Sequence, residues 1–329
     1  MLRLGVCSVP YVWHGWLAPV PTLVSWKAVR AIGVTDVRLQ FDVSLASPAP
    51  GTWDTSLFEN FLRPILAAGL TVNANYVSGT THPYDDETFH QDAAYRLAMQ
   101  FGDVITEFSP GNEPGGDPQM ANDISNGGTV DFIRETYTPF VTAFAKGIRR
   151  ARPYAIIDAF DSDSADIHTR CMDVANELLA TGLNVCDRET VHPYGDVGGA
   201  SYATMERFAE VLGSGPARRP WYISEIDDQQ FPGGADTPAT LAAGRPLKLI
   251  PFIETTAAKY PDSLKIVLGT PEYFFERGTT PAGLGCSSFN LETPIVSAMG
   301  EKFQATIAKV SGEEIITIEP GRGHEIVTA

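Results

Sequence analysis

The sequence predicts a (β/α)8 TIM barrel: one α/β domain with a short C-terminal β-hairpin extension. Three observations predict it. Strand-like and helix-like runs alternate from end to end in eight pairs across 329 residues. No G-x-G-x-x-G follows an early strand, and there is no Walker A sequence, so a doubly wound nucleotide-binding fold is disfavoured. No domain-length linker or internal repeat interrupts the alternation, which suits one closed barrel of this size.

The elements follow in order. Residues 2–8 form the first strand, and residues 21–32 have helical spacing that stops at Gly33. Residues 34–41 form the second strand, with Val37, Leu39 and Phe41 alternating against Arg38 and Gln40. A helix over 55–68 stops at Gly69, and the third strand, 70–76, carries Asn73 and Asn75. The helix over 85–101 has acidic residues in its first turn, where the macrodipole favours them. The fourth strand spans 104–108 and runs into a Pro/Gly-rich turn. A long helix over 130–151 leads to strand five at 155–160, and a helix over 165–180 to strand six at 185–192. A helix over 202–212 precedes strand seven at 220–225. The helix over 238–259 is interrupted by Gly244-Arg245-Pro246. Strand eight spans 264–269 and the last helix 293–309. The barrel thus occupies residues 1–312. Residues 313–329, two β-like runs around Pro320-Gly321-Arg322-Gly323, read as a terminal hairpin.

Composition narrows the function classes. A formal net charge of −16 speaks against a nucleic-acid face and against attraction to an anionic membrane. Hydrophobic residues make up 43% of the chain, enough for a large core, yet no apolar run approaches the ~20 residues of a membrane span. Residues 1–8 are too short and interrupted for a signal peptide. The expected location is the cytoplasm, or outside the cell after removal of a leader. The four cysteines, Cys7, Cys171, Cys186 and Cys286, show no C-x-x-C spacing, so no zinc knuckle is expected.

Barrel chemistry sits on the loops at the strands' C-terminal ends. Strand four leads into Asn112-Glu113-Pro114, strand six into His192-Pro193-Tyr194, and strand seven ends on Glu225. Strand two carries Arg38, and strand three Asn73, Asn75 and Tyr76. Glutamates from strands four and seven can face each other across the mouth. A separation of about 5–5.5 Å is the spacing of a double-displacement glycosidase.

These residues resemble the large clan of retaining glycoside hydrolases on (β/α)8 barrels. Asn112-Glu113-Pro114, His192-Pro193-Tyr194 and Glu225 match its motifs after strands four, six and seven, and Gly33 with Val37-Arg38 is similar to its strand-two segment. The resemblance spans roughly the first eight-tenths of the chain. It implies a β-linked oligo- or polysaccharide substrate, with Glu113 as acid/base and Glu225 as nucleophile. It also implies Asn112 on the sugar 2-hydroxyl, Tyr194 and Arg38 donating to Glu225, and no metal or other cofactor. An ionised Glu225 nearby would keep Glu113 protonated, because two close carboxylates resist both ionising. His192 and Asn75 join the substrate-binding set.

The chain departs from the clan in two places. Gly111 precedes Asn112 where many relatives carry a bulky residue, and no Trp follows strand eight. Tyr273 is the aromatic candidate there, and Trp16 a candidate on an early loop, since aromatic faces suit sugar C–H surfaces. Asp161-Ser162-Asp163-Ser164-Ala165-Asp166 imitates the start of a calcium loop but lacks its Gly and its closing Glu. Strand end plus helix N-cap explains it better. His82-Pro83-Tyr84-Asp85-Asp86-Glu87 with His90 reads as a loop and helix start rather than a metal site. Three alternatives remain: a transglycosylase using the same site, a carbohydrate-binding barrel without catalysis, and a metal-dependent barrel enzyme.

Overall fold

In the computed structural model the described residues are 3–8, 26–78, 82–112, 132–161, 185–193, 220–226, 249–260, 263–268 and 298–311. Short helical pieces at 173–174, 176–178, 205–206 and 208–210 complete them. The terminal hairpin expected over 313–329 lies outside these residues.

Eight strands are described: β1 Arg3–Ser8, β2 Asp36–Asp42, β3 Thr71–Val77, β4 Glu107–Pro110, β5 Ile156–Ile157, β6 Glu189–Val191, β7 Trp221–Ile226 and β8 Ser263–Leu268. They form one sheet in the order β5-β4-β3-β2-β1-β8-β7-β6, with every pairing parallel. The two ends of that order meet. Asp158 and Arg188 form a parallel bridge beside β5 and β6, the Ala159 amide donates to Arg188 O at 3.1 Å, and the Thr190 amide donates to Ala159 O at 3.2 Å. The sheet therefore closes, and the fold is a (β/α)8 barrel.

The described helices are α1 Trp26–Ala31, α2 Val43–Ala46, α3 Ser56–Ala67, α4 Glu87–Phe101, α5 Thr138–Ala151, α6 Leu249–Lys259 and α7 Ala298–Ser311. A π-helical turn, Ile133–Tyr137, leads into α5. Gly33, just beyond α1, sits at φ +106°, the left-handed conformation that ends a helix. An added Cβ there would run into Ile307 of α7.

The strand alternation expected for β2 is observed. Val37, Leu39 and Phe41 are buried in the apolar layer between sheet and helices, where Phe41 packs against Phe58 and Tyr76. Arg38 is also buried, but its partners are polar groups of the interior. Three strands depart from their expected bounds by three residues or more, and strand six narrows from 185–192 to Glu189–Val191. Strand four begins at Glu107, not Val104. The Val104 and Ile105 amides bond back to Phe101 O at the end of α4, and Val104 is half exposed. Strand five shortens to two residues plus the Asp158 bridge.

Barrel interiors usually fill with branched apolar side chains. This one is polar and ionic. Glu107 receives Lys265 Nζ at 2.6 Å on one oxygen and Arg188 Nη1 at 2.9 Å on the other. Asp36 accepts from Thr71 at 3.0 Å and lies 3.1 Å from Arg3 Nη1. One level toward the mouth, Asp158 Oδ2 accepts from Asn73 at 2.7 Å and from the Tyr222 hydroxyl at 2.9 Å. Such a layer is stable only when nearly every polar group finds a partner.

Candidate active site

Arg38 is the centre of the barrel mouth. Its β2 position turns it inward, and its two terminal nitrogens divide their hydrogen bonds. Nη1 donates to Glu225 Oε2 at 3.0 Å, and Nη2 donates to both Asn112 Oδ1 and Asp161 Oδ2 at 2.6 Å. The planar fork suits this arrangement, since guanidinium directs its donors along fixed lines. One side chain thus ties the ends of β4 and β7 to the segment leaving β5.

Asp161 is fully buried and accepts from Ser224 Oγ at 2.6 Å as well. Asn75 Nδ2 lies 3.4 Å from Asp161 Oδ2 and donates to Gly111 O at 2.6 Å. His192 Nε2 stands 3.8 Å from Asp161 Oδ1, with the imidazole sealed from solvent. Glu225 differs: its side chain is 23% exposed, so one face looks out of the barrel. The inner members are buried and the carboxylate at the rim is open, the polarity a reactive site requires.

Electrostatics follow from these contacts. Burial pushes the Asp161 carboxyl up, but the charges of Arg38 and His192 outweigh it and hold it at about 2. Burial also raises Glu107, and Lys265 and Arg188 overcome it to hold that carboxyl at about 2. Asp158 goes the other way. Burial, then the charge of Glu107, raises it to about 7. Cys7 lies with its Sγ 3.9 Å from Arg38 Nη1, and burial followed by the charge of Glu225 pushes its thiol far up, so it is no nucleophile.

The backbone before Asn112 has its own constraint. Gly111 has φ +75°, donates its amide to Tyr76 O at 2.6 Å, and is backed by the Tyr137 hydroxyl, which itself donates to Pro110 O at 2.9 Å. A Cβ at 111 would fall on that hydroxyl. This accounts for glycine at a position where the clan often carries bulk.

Of the sequence-predicted residues, Arg38, Asn75, Asn112, His192 and Glu225 come together around Arg38 and Asp161. Glu113, Tyr194, Trp16 and Tyr273 lie outside the described residues. Two members were missed: Asp161 and Ser224. The available signal was their position at the C-terminal ends of strands five and seven, the same criterion that selected Glu225. Among the described residues, no group of three or more His, Cys, Asp or Glu has metal-ligating geometry. Among the same residues, no helix is long and apolar enough to cross a membrane.

Comparison with solved structures agrees with the fold. The chain is similar to a family 39 glycoside hydrolase from the gut symbiont Bacteroides cellulosilyticus WH2, with TM-score 0.61 and 15% identity over 94% of this chain and 63% of that one. It is similar to a monomeric β-xylosidase from Caulobacter crescentus CB15, with TM-score 0.61 and 14% identity over 92% of this chain and 67% of that one. An exo-β-1,4-mannosidase from Opitutaceae bacterium strain TAV5 matches with TM-score 0.60 and 14% identity, over 95% of this chain and 60% of that one. The chain thus spans about 60–67% of the length of these three relatives. No family model matches the chain, and no curated protein matches its sequence. At these identities the likeness defines a class of fold: a (β/α)8 barrel of the architecture found in these glycoside hydrolases.

Proposed function

We propose that the chain is a retaining glycoside hydrolase acting on a β-linked glycoside or polysaccharide, with Glu225 as nucleophile and Glu113 as acid/base. One observation carries the reading: Arg38 bonds at once to Glu225 and to Asn112, the residue directly before Glu113. A single guanidinium therefore ties the Glu225 carboxylate to the backbone that leads into the second glutamate. The xylosidase, mannosidase and family 39 structures of similar fold support the same reading.

In this reading Glu225 attacks the anomeric carbon, and Glu113 protonates the departing glycosidic oxygen. A covalent glycosyl ester forms on Glu225. Glu113, now a carboxylate, takes a proton from water, which attacks the anomeric carbon and releases the sugar with its configuration retained. Arg38 holds the Glu225 carboxylate in line for attack. Asn112, with its Oδ1 engaged by Arg38, presents its amide hydrogens to the sugar 2-hydroxyl. No cofactor takes part.

The test is a hydrolysis screen of 4-nitrophenyl β-glycosides and β-linked polysaccharides, with product sizing. A 2-deoxy-2-fluoro glycosyl fluoride of the preferred sugar should add one glycosyl mass to the chain, and peptide mapping should put it on Glu225. A label on another residue, or cleavage with inversion, would overturn the assignment.

A further inference from the structure

The segment leaving β5 contributes nothing to the reaction scheme above, yet among the described residues it supplies the most buried carboxylate at the mouth. We infer that Asp161 is a positioning residue for the proposed hydrolysis: it anchors Arg38 and the end of β7 so that the Glu225 carboxylate is held in one attacking pose. The inference rests on the glycosidase reading and extends it.

Asp161 meets Glu225 from two sides without touching it. On one side Asp161 Oδ2 takes Arg38 Nη2 at 2.6 Å, and the other arm of the same guanidinium holds Glu225 Oε2 at 3.0 Å. On the other side Asp161 Oδ1 takes Ser224 Oγ at 2.6 Å, and Ser224 directly precedes Glu225 on β7. Both oxygens of one sealed carboxylate are thus committed to groups that fix the nucleophile. The Asn75 amide, 3.4 Å away, also holds Gly111 O, so the same anchor extends toward the end of β4.

Charge makes the anchor directional. Arg38 is fully buried with two carboxylates against it, and only one of them, Glu225, reaches solvent. Without an inner anion the guanidinium would keep only the neutral Asn112 oxygen besides Glu225, and could follow the carboxylate as it moves. With Asp161 in place, the arginine is fixed from below and offers Glu225 one arm in one direction. A carboxylate held this way needs little reorganisation before it attacks.

Asp161→Asn separates positioning from mere charge balance. It keeps the volume and an acceptor for Ser224 but removes the anion. On the 4-nitrophenyl β-glycoside that the wild type cleaves best, kcat should fall about 100-fold, with KM changed by less than about threefold, because the lost alignment matters in the transition state and not in ground-state binding. In an Arg38→Met background the same Asp161→Asn change should cost less than about twofold in kcat, since the arginine arm of the anchor is then already gone and the amide oxygen still accepts from Ser224. A purely structural Asp161 would lower the melting temperature and leave kcat per folded molecule unchanged in both backgrounds. Ser224→Ala provides a second probe that keeps every charge. It should lower kcat about tenfold with a melting temperature close to wild type, and it serves if Asp161→Asn fails to fold. Wild-type kcat in folded Asp161→Asn, or in Ser224→Ala, overturns the inference and leaves the glycosidase reading intact. A wild-type chain that cleaves none of the glycosides or polysaccharides removes that reading, and the inference with it.

Discussion

Arg38 Nη1 lies 3.0 Å from Glu225 Oε2, joining side chains 187 positions apart in the chain. The same arginine neutralises Asp161, which is wholly buried. Removing the cation should therefore cost more than a surface pair would. Arg38→Met is expected to destabilise the fold by about 3–5 kcal/mol, the cost of leaving one member of a buried ion pair unpaired. Denaturant unfolding measures it. Restoring neutrality with Arg38→Met/Asp161→Asn should recover part of the loss, and a double variant no more stable than Arg38→Met would contradict the pairing.

Glu225 is the open member of the cluster, with 23% of its side chain exposed. Its removal should therefore separate activity from folding. Glu225→Gln is expected to lose turnover by a factor on the order of 10^4, the scale seen when a reacting group is deleted. Its unfolding midpoint should stay near that of the wild type. Full activity on the preferred glycoside would reject Glu225 as nucleophile.

Much of this was legible in the sequence, for physical reasons. The period-2 alternation at Val37, Leu39 and Phe41 against Arg38 survives in the fold because a barrel strand has one face on helices and one face inside. The start of β4 was misread because Val104 and Ile105 are apolar, and periodicity cannot tell a short strand from the tail of a helix–strand loop. Glu107 takes its partner Lys265 from 158 residues away, a distance no local pattern spans. Asp161 looked like strand-end and capping chemistry in an Asp/Ser run. Its burial is created by barrel closure and has no local trace. The left-handed turn at Gly111 is likewise a backbone property, visible in sequence only as an unexpected glycine.

Asp158 should leave a signature in the pH dependence of stability. Its ordinary value of 3.8 rises to about 7 in the fold, through burial and the charge of Glu107, with Lys265 and Arg188 opposing. Its Oδ1 has no hydrogen-bond partner among the described atoms. A raised carboxyl favours the folded state below its unfolded value, and that advantage is lost as pH rises from about 4 through about 7. Glu107 and Asp161, both held at about 2, act oppositely: their contribution is present above about 4.5 and is lost on acidification below it. Asp158→Asn removes only the first effect. Relative to wild type, it should gain stability between about pH 4 and pH 7 and show a constant difference below pH 4. Urea unfolding across that range decides it, and a difference that stays flat through pH 7 would refute the raised value.

Gly111 sets the approach to Asn112, and its space is already taken. Its φ of +75° disfavours any side chain, its carbonyl holds Asn75, and the Tyr137 hydroxyl occupies the place of a Cβ. Gly111→Ala should therefore cost about 1–3 kcal/mol for backbone strain alone, with a further penalty for displacing Tyr137 from Pro110 O. Because Asn112 follows directly and is bonded to Arg38, the shift should also lower kcat/KM on the preferred glycoside. Tyr137→Phe removes the nearest clashing atom, leaving ring carbons 3.0 Å from the added Cβ, but forfeits its own hydrogen bond. The two changes together should be less damaging than the sum of each alone, by a margin measurable in a double-mutant cycle of unfolding free energies. Strict additivity would mean that the hydroxyl is not what excludes a side chain at 111.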